Sequence, residues 1–392
     1  MSEKAFRIGP IRPPSEANSL LIQVTNGCTW NKCRFCQLYR HTKFKAYSAD
    51  SIRDDIDKIA YWAERVRKYE RKGVSAFAWD IEGINAELSS MTDAEDQQCM
   101  YTVANWLVGG GEKVFLQDGN STALSSGRLS DVLIYLRQVF PQIKRITSYG
   151  RAENLSRSTA EDFAELKAAG LDRIHSGFET GSDAVLQRIN KGVTQEQQIR
   201  AGCAIKEGGI ELSIYFMPGV GGRDLSEDNA VGTAEVINAV NPDFVRVRTA
   251  AIKPGTELYQ DWQEGKFELC GDDDKVREIR RIIELADSTC SSGAPGVTTY
   301  LVSDHMINLL QDVEGNMAAD RDRMLQLIDD YLDMPEADRR IFQLLRRTLR
   351  AYNLDDMKRL GESELDRLRE EVVKENELGW TVRMNGYISR YV

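Results

Sequence analysis

Six short apolar runs recur along the first 250 residues of the chain. Their lengths and their content of β-branched residues are typical of β-strands rather than of helices. The runs are SLLIQVT (19–25), KVFLQD (113–118), IKRITSY (143–149), LDRIHSGF (171–178), IELSIYFM (210–217) and DFVRVRT (243–249). We therefore predict a strand at each of these six places.

Helix signals lie between most of these strands. Ser158 and Glu161 predict a capping box that opens a helix ending at Gly170. Thr194 and Gln197 predict a second one, which ends at 208–209. Strand followed by helix, about six times over, indicates an α/β fold with a parallel sheet and right-handed crossovers. Six units are too few for a closed eight-stranded barrel, so the pattern favours an open barrel-like sheet or a doubly wound one, and both bind ligands beyond the C-terminal ends of the strands.

Two stretches fall outside this repeat. Residues 37–112 form an insertion with an amphipathic helix, an irregular piece AFAWDIEGINA (76–86) and a second helix near 93–108; the apolar face of the first helix holds Ile52, Ile56, Ile59, Ala63 and Val66. We expect this insertion to form a wall or lid of the site. From about residue 274 to about 375 the sequence predicts charged helices interrupted by the irregular STCSSGAPGVTTYLVSDH (288–305), with the charge runs on a solvated face. The predicted domains are an extended arm (1–18), the α/β core (19–260) and a helical extension (261–392).

The composition of the chain limits the kinds of partner that we expect it to bind. A hydrophobic content of 42% over 392 residues is enough for a large core. The formal net charge of −10 argues against a nucleic-acid partner, because the surface as a whole repels a phosphate backbone. No apolar run approaches the roughly 18 residues of a membrane span, and the N-terminus is charged where a signal peptide is apolar. We predict a cytoplasmic protein that acts on a small molecule or peptide.

The stretch NGCTWNKCRFC places three cysteines at the spacing Cys28-x4-Cys33-x2-Cys36. A zinc site completed by His41 is one interpretation, although such sites usually belong to small free-standing modules. A plant-type [2Fe–2S] centre needs a fourth cysteine, and the next one, Cys99, is distant. Three buried structural thiols do not suit the polar residues between them. The remaining interpretation is a metal centre that needs only three protein thiolates.

The last interpretation agrees with a family resemblance. PPSEANSLLIQVTNGCTWNKCRFCQLYR (13–40) and GFETGSDAVLQRINKGVT (177–194) resemble the radical S-adenosylmethionine (radical SAM) superfamily, in the branch of oxygen-independent coproporphyrinogen oxidases and the radical SAM subunit of Elongator. The resemblance covers roughly residues 10–260 and implies a (βα)6 partial TIM-type barrel. It implies that Cys28, Cys33 and Cys36 hold a [4Fe–4S] cluster whose fourth iron binds S-adenosylmethionine, with Phe35 as the family's aromatic residue before the last cysteine. The usual spacing in the superfamily is Cys-x3-Cys-x2-Cys, so this loop carries one extra residue.

The resemblance also implies contacts to S-adenosylmethionine at the ends of the strands. Its ribose or its ammonium is expected near Glu179 and its carboxylate near Lys191, with these two residues on opposite flanks of the cofactor. Asn120 or Asp118 is a further candidate to accept from the ammonium. The glycine-rich turn after the fifth strand is expected to approach the adenine. The candidate cofactor residues are Asp118, Gly119, Asn120, Ser148, Glu179, Lys191, Gly219 and Gly221.

The expected reaction is hydrogen abstraction from an unidentified substrate, with an electron donor such as flavodoxin or ferredoxin. Arg246, Arg248 and His305 are the candidate catalytic residues, with Asp304 and Asn308 beside them. The alternative for 303–305 is a helix that starts at His305 and is capped by Ser303 or Asp304. An auxiliary cluster is not expected, because the other cysteines show no paired spacing; these are Cys99, Cys203, Cys270 and Cys290. A haem chaperone and a radical SAM methyltransferase remain alternative functions.

Overall fold

The computed structural model describes residues 3–71, 79–286 and 296–391. The strands are β1 (Leu20–Gln23), β2 (Thr25–Asn26), β3 (Lys45–Ala46), β4 (Lys113–Gln117), β5 (Arg145–Tyr149), β6 (Arg173–Glu179), β7 (Glu211–Phe216), β8 (Phe244–Val247), β9 (Tyr300–Val302) and β10 (Gly315–Asn316). The helices are α1 (Ala49–Arg67), α2 (Ile81–Ser90), α3 (Ala94–Val108), α4 (Ser126–Val139), α5 (Ala152–Leu155), α6 (Ala160–Ala169), α7 (Asp183–Arg188), α8 (Gln195–Glu207), α9 (Ser226–Val240), α10 (Glu257–Gln263), α11 (Asp272–Leu285), α12 (Arg321–Leu332), α13 (Glu336–Arg347), α14 (Glu362–Val372) and α15 (Glu377–Ile388). Short 3₁₀ helices cover Pro14–Glu16, Ser121–Ala123, Arg223–Leu225, Leu354–Arg359 and Ser389–Tyr391.

The chain divides into two compact units. The first holds residues 1–29, 41–175 and 204–211, and the second holds residues 30–40, 176–203 and 212–392. This division cuts the chain at other places than the predicted domain boundaries at residues 18 and 260, which stay a prediction.

The six predicted strands are confirmed as β1, β4, β5, β6, β7 and β8. In the first unit, the order is β1, β4, β5 and the first part of β6, and all the pairs are parallel. In the second unit the order is β6, β7, β8, β9 and β10, with β8 parallel to both β7 and β9. Parallel strands joined by helices confirm the predicted α/β class and the open (βα)6 partial barrel.

Two further strands of the main sheet, β9 and β10, were not predicted, nor was the short antiparallel pair β2–β3. β9 lies parallel to β8, and β10 pairs antiparallel with β9. Both follow the start of the predicted helical extension, and β9 lies inside the segment 288–305 that the sequence predicted to be irregular. Residues 287–295, which include Cys290, lie outside the described residues. A run as short as Tyr300–Val302 has too few positions for a readable alternation, so its strand depends on pairing with β8.

The first unit confirms the amphipathic helix of the insertion. The apolar face of α1 is buried, together with Trp62, and α1 packs on α3 and α4. α3 also confirms the predicted second helix. The prediction of an irregular segment at 76–86 was wrong from residue 81 onward, where α2 begins. The carboxylate of Asp80 caps this helix by accepting from the Gly83 amide at 3.2 Å, and residues 76–78 of the same segment lie outside the described residues.

The helix caps agree closely with the sequence signals. The predicted capping box at Ser158 lies one residue later, because Thr159 and Asp162 cap each other's amides and α6 starts at Ala160. Gly170 ends α6 with a φ of 111°, a conformation that favours glycine. Thr194 and Gln197 form the predicted reciprocal box before α8, with bonds of 3.0 and 3.2 Å.

The prediction that the charge runs of the C-terminal helices face solvent was wrong for α11 and α13. Arg347 is buried and its guanidinium donates to the buried Asp272 at 2.8 Å. Arg346 is also buried and donates to the carbonyl oxygens of Asn308, Leu309 and Ala351. Charged residues recur at helical spacing throughout these runs. The sequence pattern therefore does not distinguish the charged side chains that are buried in ion pairs from those that face solvent. Within the described part of the chain, no helix combines the length and the apolarity needed to cross a membrane.

Candidate active site

The three clustered cysteines carry reduced thiols. Cys33 is buried, whereas Cys28 and Cys36 are half-buried. The other described cysteines lie elsewhere, each with its own contact: Cys99 with the backbone of Phe6, Cys203 with the carbonyl of Ala239 and Cys270 with Glu278. Across residues 3–71, 79–286 and 296–391, no three His, Cys, Asp or Glu side chains converge closely enough for a single metal ion. An iron–sulfur cluster makes a looser demand, because each thiolate binds a different iron atom.

In the second unit, residues 30–34 of the cysteine loop bind the segment after α7. The Arg34 amide donates to the Ile189 carbonyl at 2.9 Å. The indole of Trp30 donates to the Asn190 carbonyl at 2.7 Å, and the Asn190 side chain donates back to the Lys32 carbonyl at 3.0 Å. These bonds fix the backbone on both sides of Cys33. In the sequence, residues 177–194 stand out only through their family resemblance, which does not indicate this docking role.

Helix α10 and the residues before it also contact the cysteine loop, both before and after Cys36. Arg34 forms an ion pair with Asp261 at 2.5 Å, and Arg40 pairs with Glu257 at 2.9 Å. The Gln37 side chain donates to the Pro254 carbonyl at 2.6 Å. The loop is therefore held by charged side chains and backbone bonds, which explains why the residues around the cysteines are polar although one thiol is buried.

Gly192 provides a test of this docking. Its φ is +68°, and a Cβ atom there would lie 2.5 Å from the Trp30 ring. We expect Gly192→Ala to displace Trp30 and to speed the loss of iron from reconstituted protein severalfold, measured with a chelator under anaerobic conditions. Gly265→Ala is the matched control, since Gly265 has a φ of +71° but nothing within 4 Å of the added Cβ. Both variants carry the backbone cost of about 1 kcal/mol. Equal rates of iron loss in the two variants would contradict the docking role.

In the first unit, Asp118 and Asn120 bind the start of the cysteine loop. The Asp118 carboxylate accepts from the Gly27 amide at 3.3 Å, and the Asn120 amide donates to the Thr29 hydroxyl at 3.0 Å. The Asn120 oxygen accepts from the Arg151 amide at 3.0 Å, just after β5. Both side chains are fully buried. The structure therefore brings these two candidates to the residues on either side of Cys28, and their contact with a cofactor stays a prediction.

Ser148 and Gly119 complete the candidates of the first unit. Ser148 is fully buried near the end of β5, and its hydroxyl donates to the Tyr149 carbonyl at 3.2 Å. Gly119 directly follows Asp118 beyond β4. Both residues lie at the C-terminal ends of parallel strands, where the fold places ligands.

Glu179 and Lys191, expected on opposite flanks of the cofactor, contact each other in the structure, and their placement about a cofactor stays a prediction. The Lys191 ammonium donates to a Glu179 carboxylate oxygen at 2.8 Å, and both side chains are buried. The ammonium also lies 5.8 Å from the centroid of the Phe35 ring. Gly177 makes room for the pair, since a Cβ there would lie 2.3 Å from a Glu179 oxygen. Sequence spacing did not show this pair, because the two residues are twelve positions apart across α7.

The glycines after β7 have a packing role that the sequence did not predict. A Cβ on Gly219, whose φ is +83°, would lie 2.9 Å from the Lys275 side chain. A Cβ on Gly221 would lie 3.0 Å from Val185. The backbone amide of Gly219 donates to the buried Glu278 carboxyl group at 2.8 Å. This turn is thus fixed by α11, and an approach of its glycines to the adenine stays a prediction.

Glu278 gives this anchor a pH dependence. Burial raises its pKa from an ordinary 4.5 to about 7, although Ser226, the Gly219 amide and Asn229 all hydrogen-bond the carboxyl group. Because the folded state keeps the proton at higher pH than the unfolded state, its stability falls as pH rises from about 4.5 through about 7. We expect a loss of about 3 kcal/mol in the free energy of unfolding over this window, which Glu278→Gln lacks. Denaturant titrations at pH 5 and pH 8 test this, and identical pH dependence in both proteins would contradict it.

The three candidate catalytic residues lie near one another in the second unit. Arg246 is at the C-terminal end of β8, donates to the Ser213 hydroxyl at 3.2 Å and pairs with Asp304 at 3.1 Å. Arg248 follows the strand and is half-buried. Burial and the charge of Arg248 lower the pKa of His305 to about 4, so this imidazole is neutral at pH 7. The alternative of a helix starting at His305 is wrong, because residues 303–310 form bends and turns.

Asn308, named beside these residues, has a structural role. Its side-chain oxygen accepts from the amide and hydroxyl of Thr249 at 3.0 Å, and its nitrogen donates to the Val247 carbonyl at 2.8 Å. It is fully buried and fixes the turn after β8.

A comparison with protein-family models identifies a domain within the chain. The model of the radical SAM superfamily matches residues 97–231, which run from α3 to α9. This stretch of the chain therefore carries a radical SAM domain. Its cofactors are therefore those of radical SAM proteins, a [4Fe–4S] cluster and S-adenosylmethionine, as predicted. The matched range begins after the cysteine loop, so the assignment of Cys28, Cys33 and Cys36 depends on their spacing.

Individual relatives are distant. The chain is 26% identical over 120 residues to the tRNA uridine(34) acetyltransferase of Methanocaldococcus jannaschii, covering 30% of this chain and 22% of that protein. It is 24% identical over 179 residues to the heme chaperone HemW of Bacillus subtilis, covering 45% and 46% of the two chains. The matches thus span less than half the length of these radical SAM relatives. The structure of coproporphyrinogen III oxidase from Escherichia coli aligns with a TM-score of 0.40 and 15% identity, covering 68% of this chain and 51% of that chain.

Proposed function

We propose that this protein is a radical SAM enzyme that abstracts hydrogen from an unidentified small-molecule or peptide substrate. The cluster and S-adenosylmethionine supply the chemistry, which is reductive cleavage of the sulfonium carbon–sulfur bond to a 5′-deoxyadenosyl radical. An external electron donor such as flavodoxin or ferredoxin supplies the electron.

The observation that carries this proposal is the docking of the cysteine loop on the segment that holds Lys191. The Trp30 indole and the Arg34 amide bind residues 189–190, and the Phe35 ring lies within 6 Å of the Lys191 ammonium. A thiolate loop and a buried cation are thereby held together in the second unit. Such an arrangement supports binding a cluster beside the carboxylate of an amino-acid ligand.

Each group of residues has a proposed task. Cys28, Cys33 and Cys36 hold the cluster. Lys191 binds the carboxylate of S-adenosylmethionine and Glu179 binds its ammonium. The ligand carboxylate thus takes the place of Glu179 beside Lys191, and the ligand ammonium takes the place of Lys191 beside Glu179. Asp118 and Asn120 order the residues around Cys28 through the Gly27 amide and the Thr29 hydroxyl. Arg246, Arg248 and His305 are assigned to the substrate.

A haem chaperone is the second candidate, because the match to HemW covers 46% of that protein. Haem iron is commonly held by histidine, and two of this chain's three histidines are poorly suited. His175 is buried against Glu16, and His305 accepts from the Ile307 amide through Nδ1. His41, exposed just after the cysteine loop, is the histidine that this alternative requires.

One experiment separates the two functions. Anaerobically reconstituted protein is reduced with dithionite in the presence of S-adenosylmethionine, and 5′-deoxyadenosine is quantified by chromatography. A second sample is titrated with haem and followed by the Soret band. The proposal expects slow, Cys36-dependent formation of 5′-deoxyadenosine and no stoichiometric haem binding. Stoichiometric haem binding that is lost in His41→Ala, without formation of 5′-deoxyadenosine, would replace the enzyme with the chaperone.

A further inference from the structure

Three charged or titratable side chains follow the ends of β8 and β9. Arg246 pairs with Val302 in the register of these two parallel strands. The residues just beyond both strands therefore come side by side, Arg248 on one chain segment and Asp304 and His305 on the other. Lys253 follows five residues after Arg248, before α10 begins.

Arg248 differs from its neighbour Arg246 in its partners. The Arg246 guanidinium is paired with Asp304 and bonded to Ser213. Within the part of the chain that the structure describes, the Arg248 guanidinium has no hydrogen bond and no carboxylate partner, although the residue is half-buried. Its electrostatic neighbours are Lys253 and His305, and its positive charge lowers the pKa of both groups, in addition to the effect of burial.

An arginine without a carboxylate partner is unexpected in a chain that has more acidic than basic side chains. The sequence has 61 Asp and Glu residues against 51 Lys and Arg residues, and most of the buried arginines pair with a carboxylate or a carbonyl. Two half-buried cations near each other repel, whereas an oxyanion between them would reverse the sign of the interaction. A guanidinium left with its donors unused is the group best suited to a planar carboxylate or a phosphate.

His305 completes the set without adding charge. Its Nδ1 accepts from the Ile307 amide at 3.3 Å, which assigns the proton to Nε2. The ring is half-buried and Nε2 is a donor. A neutral N–H donor at this position favours binding of an anion beside Arg248, whereas a carboxylate side chain at the same position would repel it.

The cluster of cations also adjoins the cysteine loop. The Pro254 carbonyl, one residue after Lys253, accepts from Gln37, which directly follows Cys36. A ligand held by Arg248 and Lys253 is therefore brought close to the loop that binds the cluster, which is where a substrate must lie for hydrogen abstraction.

From this geometry we propose that Arg248, with Lys253 and the Nε2–H of His305, binds an oxyanion of the substrate, a carboxylate or a phosphate. This inference rests on the proposed function and narrows its substrate to an anionic small molecule or peptide. The carboxylate of S-adenosylmethionine is assigned to Lys191 and so leaves Arg248 for the substrate.

Calorimetric titration of anaerobic, cluster-loaded protein saturated with S-adenosylmethionine tests the proposal, with inorganic phosphate and succinate as separate probes at low ionic strength. We expect at least one probe to bind and Arg248→Gln to weaken it at least tenfold. Arg248→Lys should retain part of the affinity. Arg128→Gln, an exposed arginine on α4, is the matched control and should bind like the wild type. Iron content and affinity for S-adenosylmethionine show whether Arg248→Gln is correctly folded and should be unchanged.

Three results would overturn the proposal. They are the absence of phosphate and succinate binding to the wild type, equal affinity in Arg248→Gln, and competition of the probe with S-adenosylmethionine, which would assign Arg248 to the cofactor. Failure of the proposed function looks different. In that case the probe still binds in an Arg248-dependent manner, while reduced protein forms no 5′-deoxyadenosine.

Discussion

Replacing any one of Cys28, Cys33 or Cys36 by alanine is expected to abolish the [4Fe–4S] cluster and with it the formation of 5′-deoxyadenosine. A cluster with an open iron depends on all three thiolates, and no other described cysteine lies in this loop. The expected change is a fall from about four irons per chain to near zero, with loss of the charge-transfer absorption. Iron and sulfide analysis after anaerobic reconstitution measures it.

The control variants are Cys99→Ala, Cys203→Ala and Cys270→Ala. Their thiols contact the Phe6 backbone, the Ala239 carbonyl and Glu278, so each variant should retain the cluster. Cys290→Ala should retain it too, on sequence spacing alone, since Cys290 lies outside the described residues. Loss of iron in one of these four would show that the ligand set is wrong.

Glu179→Ala and Lys191→Ala are expected to have the second-largest effect. Each leaves a buried charge without its partner, which costs about 3 kcal/mol or more in the free energy of unfolding. Each should also weaken binding of S-adenosylmethionine about tenfold or more, because a hydrogen bond to a charged group is lost. Denaturant unfolding and titration of the cofactor into cluster-loaded variants measure the two effects.

Two further variants show whether the effects come from breaking the buried Glu179–Lys191 pair or from removing any lysine. Glu179→Gln with Lys191→Met removes both charges and should recover much of the stability, but not the affinity for S-adenosylmethionine. Lys144→Ala breaks a Lys–Glu pair of similar length, 2.6 Å to Glu112, that is exposed, and it should not measurably change stability. If Lys191→Ala were as stable as Lys144→Ala, the buried pair would have no structural importance. Unchanged cofactor affinity in both Glu179→Ala and Lys191→Ala would remove S-adenosylmethionine from this pair.

The parts of the fold that were predictable are those with a local signal. The six strands of the core are longer apolar runs between helix caps, and all six appear within a few residues of their predicted bounds. β9 was missed because three residues carry no periodicity and depend on β8 for pairing. α2 was missed because it is short, and Asp80, its cap, was read as part of an irregular loop.

The site shows the same division. The cysteine spacing is local, so it could be recognised in the sequence. The Glu179–Lys191 pair and the docking of Trp30 on Asn190 join residues 12 and 160 positions apart, and no residue pattern specifies such contacts. The glycines at 219 and 221 were expected to approach the adenine, which stays a prediction, and a Cβ at either position would also meet protein atoms. A glycine in a sequence indicates a close approach and does not show what approaches.

The most direct test of the central claim is electron paramagnetic resonance of the reduced protein with and without S-adenosylmethionine. We predict a signal from a reduced [4Fe–4S] cluster in the wild type, a change in its g-values on adding S-adenosylmethionine, and the loss of that change in Lys191→Ala. The change would show that the cofactor reaches an iron left open by three cysteines. Stoichiometric zinc with no signal, or a cluster whose spectrum is indifferent to S-adenosylmethionine, would contradict it.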